Sequence, residues 1–307
     1  MSNIQTTTKS SKIIFLFGPT GVGKTELIET YFTKNYQIIN ADSKQIYRKL
    51  DIGSAKPSAQ LLQKIKHHLV DIKEPNESFS VGEFVKLADE AVTQIVDQNQ
   101  IPLISGGTAY YFKHFYYGLP PSPKSDEKTR LYVKTLLDEK GELWCYQKLQ
   151  EVDPVTAKKI YVSDHYRLTR ALEVYYSSGK PLSSFKMPTQ PRNNMKPLII
   201  GLERDREELN QRIALRVNQM FAQGLKEEIK KIKTMGADES WPAIQGIGYK
   251  EFFIEGLNEE QIKHEIIKNS RRYAKRQMTF FRSIKGVHWV HPDNKKQLSS
   301  LIDNYIQ

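Results

Sequence analysis

From residue 12 onward, short apolar runs alternate with longer segments in which apolar residues recur at helical spacing. The runs at residues 12–17, 36–40 and 101–105 have the length expected of buried strands. Strands that alternate with helices indicate a parallel sheet whose crossover connections are helical. We therefore expect an α/β fold in which a parallel sheet is flanked by helices.

The pattern changes in the middle of the chain. Three prolines fall within residues 118–123, which is typical of a boundary, and helical spacing without a convincing strand follows. A strand-like run returns only at residues 198–202. We predict an α/β core made of residues 1–121 and 198–307, with an all-helical insertion, residues 122–197, carried inside it.

A glycine-rich motif of the form G-x-x-x-x-G-K-[ST] follows the first predicted strand and precedes a helical pattern. The backbone N–H groups of such a loop converge on phosphate oxygens, its lysine adds a positive charge, and its last hydroxyl can hold Mg²⁺. We therefore expect a P-loop NTPase-like sheet, with Mg²⁺ as cofactor and Thr25 as its ligand. The predicted phosphate-binding residues are Gly18, Pro19, Thr20, Gly21, Val22, Gly23, Lys24 and Thr25.

The motif predicts a phosphate-bearing ligand without identifying it. ATP or GTP is the usual occupant of such a loop. However, the chain has no apolar strand ending in the aspartate of a Walker B motif and no guanine-reading motif. The strand at residues 101–105 ends instead in Gly106, Gly107 and Thr108. A diphosphate ligand is therefore an open alternative.

Asp42 and Thr108 each follow a predicted strand. The carboxyl ends of parallel strands line the ligand crevice, so both side chains are expected near the phosphate loop. A carboxylate beside phosphate is repelled unless it binds Mg²⁺ or takes a proton, which makes Asp42 a candidate catalytic residue. The alternatives are that Asp42 caps the next helix and that Thr108 belongs to a simple turn.

Positive charge is in excess: 46 Lys and Arg against 35 Asp and Glu give a net charge of +11. This excess favours a polyanionic partner, which is nucleic acid, a phosphorylated metabolite or an anionic membrane surface. Residues 271–282 concentrate it, with five basic residues, three aromatic ones and no acid. We expect the basic residues to contact RNA or diphosphate and the aromatic residues to pack in the core.

The single cysteine, Cys145, excludes a disulfide framework and a cysteine-rich zinc module, and it fits a reducing compartment. The first residues lack the pattern of a secretory signal. The apolar run at residues 13–17 is far too short to span a bilayer, which takes about 20 apolar residues. We expect a soluble cytoplasmic protein that does not act at a membrane.

Taken together, the motifs resemble those of the tRNA dimethylallyltransferases, which prenylate the adenosine immediately 3′ of the anticodon. The matches keep the family's order from about residue 12 to residue 290. Besides residues 18–25, they are Asp42 and Ser43 with Gln45 and Tyr47, residues 51–57, 67–71 and 106–108, Asp153 with Pro154, residues 167–174, Arg212 with Arg216, and residues 245–250 and 273–277.

The resemblance implies that the loop holds dimethylallyl diphosphate, with Arg212 and Arg216 as further diphosphate contacts, and not a nucleoside triphosphate. It implies that Asp42 is the general base at the adenosine N6 amino group and that Thr108 assists at the diphosphate. It also implies that the helical insertion grips tRNA. We expect the protein to act as a monomer.

The residues that the resemblance assigns to tRNA binding come from both the core and the insertion. They are Asp42, Ser43, Lys44, Gln45, Thr108, Arg130, Tyr166, Arg167, Leu168, Thr169, Arg170, Gln245, Gly248, Lys250, Lys275, Arg276, Gln277 and Arg282. Arg167 and Arg170 are three residues apart, a spacing equally typical of a helix face with surface ion pairs.

Three other functions fit parts of the pattern. A P-loop small-molecule kinase would use the insertion as a lid and Asp42 to activate a hydroxyl. An adenylate isopentenyltransferase would share the loop and the diphosphate but would not need the insertion. An RNA-binding protein would use the loop as a nucleotide switch.

Overall fold

The computed structural model describes residues 12–32, 35–192 and 195–307. The chain divides into two compact units. The first contains the described residues up to Tyr116 and from Arg192 onward, and the second is Tyr117–Pro191. The predicted boundaries after residues 121 and 197 lie within about six residues of this division.

The first unit is built on a parallel sheet. Its strand order is β3-β2-β4-β1-β5-β6, and every recorded pair of neighbours is parallel, which confirms the predicted α/β fold. The short edge strands β3 and β6 carry too few residues to show a pattern in the sequence. The strands found in the described residues are β1 (Ile14–Phe17), β2 (Tyr36–Asn40), β3 (His67–His68), β4 (Ile101–Gly106), β5 (Leu198–Leu202) and β6 (His288–Val290).

Helices connect the strands and cover both faces of the sheet. Those of the first unit include α3, whose Ser80 side chain accepts from the backbone N–H of Glu83 while the Glu83 carboxylate accepts from that of Ser80. The helices found in the described residues are α1 (Lys24–Tyr31), α2 (Ala59–Lys64), α3 (Val81–Asp97), α4 (Ala109–Tyr117), α5 (Glu127–Val152), α6 (Pro154–Ala157), α7 (His165–Ser178), α8 (Arg206–Ala222), α9 (Leu225–Thr234), α10 (Glu259–Phe281) and α11 (Lys295–Ile306).

β1 is buried on both faces because it lies in the middle of the sheet. Alternate side chains of a strand point to opposite faces. Phe15 and Phe17 therefore belong to one apolar core, and Ile14 and Leu16 to another. The ring of Phe17 stacks on Phe281 at the end of α10, with ring centroids 4.3 Å apart. This stacking fixes α10 beside the carboxyl end of β1.

Two of the loops that follow the strands also meet closely. A side-chain carbon at Gly106 would overlap the carbonyl group of Ala41. The N–H group of Ala41 donates to the Ser105 carbonyl over 2.7 Å, and that of Thr108 donates to the Ala41 carbonyl over 3.0 Å. The ends of β2 and β4 are thereby held together, so the residues that follow them share one site.

The second unit, residues 117–191, contains helices and no strand. Its core includes Val133, Leu149, Leu168 and Cys145, and burial raises the pKa of the Cys145 thiol. Cys145 is thus a small buried apolar residue. Gly141, with φ of 82°, divides α5 into two helical segments. Among all described residues, no helix is both long enough and apolar enough to cross a membrane.

The stacked pair Phe17–Phe281 provides a test of this packing. We expect Phe281→Ala to lower the free energy of unfolding by about 3–5 kcal/mol, because the substitution leaves a cavity in a buried core. Phe280→Ala, at a partly buried neighbouring ring, is the matched control and should cost less than half as much. Urea unfolding followed by circular dichroism measures both free energies of unfolding. Equal losses of stability in the two variants would contradict the buried position of the Phe281 ring against Phe17.

Candidate functional site

A cavity of about 670 Å³ opens in the first unit where these loops meet. Its wall combines the glycine loop (residues 18–25) with Asp42 and Gly107. Further parts of the wall come from α8 and α10 and from two turns. The turns comprise residues 51–55, called the first turn below, and residues 245–250, called the second turn. Loops that are far apart in the sequence therefore form one site.

The glycine loop has the predicted place between β1 and α1. Gly21 and Gly23 have φ values of 81° and 109°, a left-handed conformation that is readily open only to glycine. α1 begins at Lys24, directly after the loop, and brings the partial positive charge of its N-terminus to the cavity. The loop and the helix together offer amide N–H groups to an anion.

Two arginines support the glycine loop through its carbonyl groups. Arg212 Nε donates to the Gly21 carbonyl and Arg204 Nε to the Val22 carbonyl, each over 2.9 Å. Arg212 is paired with Glu26 over 2.8 Å, and Arg204 is paired with Asp293 over 2.9 Å and with Glu208. Because Arg212 is already engaged in this way, its observed role is to hold the loop. The predicted direct contact of Arg212 with diphosphate remains untested.

Lys24 and Arg216 bring two positive charges to the cavity. Lys24 Nζ donates to the carbonyl groups of Gly18 and Pro19 over 2.8 and 3.1 Å. Burial, aided by Arg216 and opposed by Asp42, lowers the pKa of Lys24 to about 7. Burial also lowers the pKa of Arg216, again against the effect of Asp42. Two desolvated cations beside one aspartate favour an added anion at this side of the cavity.

Asp42 is held by a local turn. Its Oδ1 accepts from the backbone N–H of Lys44 over 2.9 Å. A turn and not a helix follows, so the alternative that Asp42 caps the next helix is wrong. The other oxygen, Oδ2, lies 3.7 Å from the position that a Cβ would occupy at Gly107. The hydrogen bond to Oδ1 thus orients the carboxylate, and Oδ2 faces the Gly107 turn.

Thr108 ties the end of β4 to the loop of Asp42. Its Oγ accepts from the backbone N–H of Ser43 over 3.0 Å. The hydroxyl of Tyr273 on α10 makes side-chain hydrogen bonds with Thr108 and Gln277, and burial followed by the effect of Asp42 raises its pKa to about 12. The sequence prediction of simple core packing is therefore wrong for Tyr273. Tyr273 and Gln277 are four residues apart on α10, a spacing that places them on one helix face.

Gln277 is a buried residue of the cavity wall, with 4% of its surface exposed. Its Nε2 donates to the Gly107 carbonyl over 2.6 Å, and its Oε1 accepts from the Thr20 N–H over 3.0 Å. It thus joins the glycine loop to the turn that follows β4. Its contact with tRNA stays a prediction.

Polar side chains of the loop that follows β2 also make hydrogen bonds within the protein. Lys44 Nζ donates to the Pro242 carbonyl over 2.8 Å, and burial lowers the pKa of Lys44 to about 8. Gln45 Nε2 donates to the carbonyl groups of Ser54 and Ala55 over 3.3 and 3.0 Å. Both residues line the cavity. Their hydrogen bonds within the protein fix this part of the wall.

The remaining predicted tRNA contacts fall into exposed and buried groups. Gly248 and Leu168 are buried, so the prediction that the Leu168 side chain contacts tRNA is wrong, and the Gly248 N–H donates to Glu251 over 2.9 Å. Arg170 donates to Ser125 Oγ and to the Pro123 carbonyl, and Thr169 donates to the His165 carbonyl. The exposed residues of the set are Arg130, Tyr166, Arg167, Gln245, Lys250, Lys275, Arg276 and Arg282.

The comparison with protein families agrees with this geometry. A family model described as IPP transferase matches residues 45–284 of the 307-residue chain. The chain belongs to the IPP transferase family. Within this family the chain is similar to proteins named tRNA dimethylallyltransferase. One from Borrelia turicatae (strain 91E135) is 43% identical over 290 residues, which cover 93% of this chain and 96% of that protein.

Solved structures of IPP transferases have the same fold. The full-length tRNA isopentenylpyrophosphate transferase from Bacillus halodurans is 33% identical, with a TM-score of 0.67, and the match covers 96% of this chain and 95% of that one. A eukaryotic dimethylallyltransferase acting on tRNA is 26% identical with a TM-score of 0.77, covering 97% of this chain and 78% of that one. The parallel sheet flanked by helices is therefore the fold of this family.

The lowered pKa of Lys24 predicts proton uptake on binding inorganic diphosphate. At pH 8 the ligand-free lysine is mostly neutral, and a bound anion favours its charged form. Titration calorimetry at pH 8 in two buffers of different ionisation enthalpy gives the number of protons taken up on binding. The wild type should take up close to one proton more than Lys24→Arg, because the guanidinium of the variant is charged before the ligand binds. The affinity of the wild type should also fall from pH 7 to pH 9. Equal uptake by both proteins would contradict the assignment.

Proposed function

We propose that this chain is a tRNA dimethylallyltransferase. It transfers the dimethylallyl group from dimethylallyl diphosphate to the N6 amino group of the adenosine immediately 3′ of the anticodon, position 37, and releases diphosphate. The observation that carries the proposal is that two desolvated cations, Lys24 and Arg216, lie in one cavity with the carboxylate of Asp42. Such a site suits an anionic leaving group beside a proton acceptor.

Family membership supports the class of reaction. The chain aligns over nearly its whole length with named tRNA dimethylallyltransferases, and it is a prenyl-transferring enzyme. The sheet and its glycine loop are of the P-loop NTPase type, with a diphosphate in place of a nucleoside triphosphate. The helical residues 122–197 form the family's tRNA-gripping insertion. The protein acts as a monomer in the cytoplasm.

The leaving group is held on the glycine-loop side of the cavity. Amide N–H groups of residues 18–25, the Lys24 ammonium and the Arg216 guanidinium are the donors available there, and Thr108 assists from the end of β4. As the bond between the allylic carbon and the diphosphate oxygen breaks, its electron pair goes to the diphosphate. Preorganised donors stabilise the charge that develops.

An oxygen donor at this side fits Mg²⁺. The Thr25 hydroxyl lines the cavity beside the glycine loop, and Mg²⁺ prefers oxygen ligands from one or two side chains together with substrate phosphates. When bound with the diphosphate, Mg²⁺ supplies further neutralisation of the leaving group. The Thr25 hydroxyl would be the protein's own ligand to the ion.

Asp42 is the general base. The adenine amino nitrogen attacks the allylic carbon, the C–N bond forms, and the Asp42 carboxylate takes the proton that the nitrogen loses. General-base catalysis of this kind contributes about 10²–10⁴-fold. The target base leaves its stack to reach the cavity. The Lys44 N–H bond to Oδ1 holds the carboxylate in place while Oδ2 remains available.

The tRNA is bound by exposed cations of both units. Lys275, Arg276 and Arg282 lie on or beside the exposed face of α10, and Arg130 and Arg167 are exposed in the second unit. Tyr166, with 80% of its surface exposed, offers a ring for stacking. Phosphate contacts of this kind are sensitive to salt through counterion release.

A labelling experiment tests the function as a whole. The protein is incubated with Mg²⁺, labelled dimethylallyl diphosphate and either bulk tRNA or AMP, in parallel reactions with and without ATP, and binding of tRNA is measured separately. We expect label in tRNA alone, at the adenosine 3′ of the anticodon. Label in AMP would instead indicate an adenylate isopentenyltransferase, and a requirement for ATP hydrolysis would favour a kinase or a nucleotide switch. If the protein binds tRNA but transfers no label to it, the result would indicate an RNA-binding protein without prenyltransferase activity.

The role of Asp42 is tested by Asp42→Asn. The amide keeps the size of the side chain and can still accept from Lys44, but it cannot take the proton. We expect prenyl transfer to fall at least a hundredfold while tRNA affinity stays within about threefold. Asp97→Asn, at an exposed position at the end of α3, should leave both unchanged. If Asp42→Asn keeps most of its activity, another group is the base.

A further inference from the structure

Glu228 on α9 is a buried carboxylate that the reaction scheme does not use. It is outside the residues that line the cavity, and 9% of it is exposed. Its Oε2 accepts from the backbone N–H groups of Asp51 and Ile52 over 2.9 and 2.8 Å. Its Oε1 accepts from the Gly53 N–H over 3.1 Å and from the Tyr249 hydroxyl over 2.8 Å. One carboxylate therefore binds three successive amides and a side chain from a distant segment.

These contacts join the first turn to the second. The Tyr249 hydroxyl donates to Glu228 and accepts from the Ser54 N–H over 3.0 Å. A Cβ at Gly53 would lie 2.5 Å from the Tyr249 ring, and one at Gly248 would lie 3.2 Å from the Gly53 carbonyl oxygen. Gly248 also has φ of 97°. The two turns pack closely, with the Tyr249 ring against Gly53, and Glu228 is their common acceptor.

Together the two turns form a part of the cavity wall that is separate from the glycine loop. Gly53, Ser54 and Ala55 line the cavity from the first turn, and Gly248 and Lys250 from the second. Gln45, three residues after Asp42, donates to carbonyl groups of the first turn. The position of these turns therefore sets the space available beside Asp42.

A carboxylate is required at position 228 because every neighbour recorded there is a donor. Each oxygen of an ionised Glu accepts two bonds, whereas a Gln amide accepts with its oxygen only and presents N–H groups on the other side. The NH₂ group of a Gln would therefore face backbone N–H groups of the first turn or the Tyr249 hydroxyl proton in a buried place. Donors would then be left without acceptors. Burial and the adjacent Glu228 raise the pKa of Tyr249 well above its ordinary value, so its hydroxyl keeps the proton that it donates.

We propose that Glu228 is a positioning residue for the acceptor substrate: by binding both turns it sets the wall against which the target adenosine of tRNA is placed. The proposal rests on the proposed function, since it identifies that wall with the acceptor side of the prenyl-transfer site. Glu228 acts through Tyr249 and the first turn and does not touch either substrate. The diphosphate side, which is built from the glycine loop and Arg216, is independent of it.

The test compares Glu228→Gln with Glu227→Gln, an exposed carboxylate one residue earlier on the same helix. Steady-state prenyl transfer gives KM for tRNA and for dimethylallyl diphosphate, and calorimetry gives the affinity for inorganic diphosphate with Mg²⁺. For Glu228→Gln we expect KM for tRNA to rise at least tenfold, with kcat falling less and diphosphate affinity within twofold. Glu227→Gln should match the wild type.

Tyr249→Phe is a second variant in case Glu228→Gln does not fold. It removes one hydroxyl that serves both Glu228 and the Ser54 N–H, and it should raise KM for tRNA about threefold or more. Unchanged KM for tRNA in a folded Glu228→Gln, or in Tyr249→Phe where the first variant is unfolded, overturns the proposal. An equal loss of diphosphate affinity also overturns it, because the effect would then be general. A wild-type protein that labels no tRNA refutes the proposed function instead.

Discussion

The structure depends on an imbalance of charge at the carboxyl end of β1. Lys24 and Arg216 are brought into one cavity with Asp42 as their nearby carboxylate, and burial lowers the pKa of both cations. Desolvated positive charge of this kind is costly in the absence of an anion and favourable in its presence. The glycine loop adds backbone N–H groups to the same side of the cavity. The site is therefore arranged for an anion.

Such a loop keeps its shape only if its other polar groups are satisfied. Arg204 and Arg212 donate to its carbonyl groups, and Gln277 accepts from the Thr20 N–H while donating to the Gly107 carbonyl. Buried backbone groups without partners would cost as much as lost hydrogen bonds. The sheet supports the same arrangement, because β1, β2 and β4 are neighbours and their carboxyl ends place Gly18, Asp42 and Thr108 at one edge.

The cavity thus has two differently built sides. The glycine-loop side is positively charged and is held by guanidinium groups. The other side consists of two turns whose backbone amides converge on the buried carboxylates Glu228 and Glu251. Asp42 belongs to neither side alone, since its charge acts on Lys24 and Arg216 as well as on Lys44. This placement suits the role of base that we propose for Asp42.

The sequence by itself determined the α/β class, the glycine loop between a strand and a helix, and the place of Asp42 and Thr108 directly after strands. These features follow from local periodicity and short motifs, which depend on residues close together in the chain. Only the tertiary structure decided that Gln277 and Leu168 are buried, that Tyr273 bonds to Thr108, and that Glu228 binds the first turn. The Thr20–Gln277 bond spans 257 residues and the Asp51–Glu228 bond 177. Helical spacing shows which residues share a face, but the partner across the interface is set by packing.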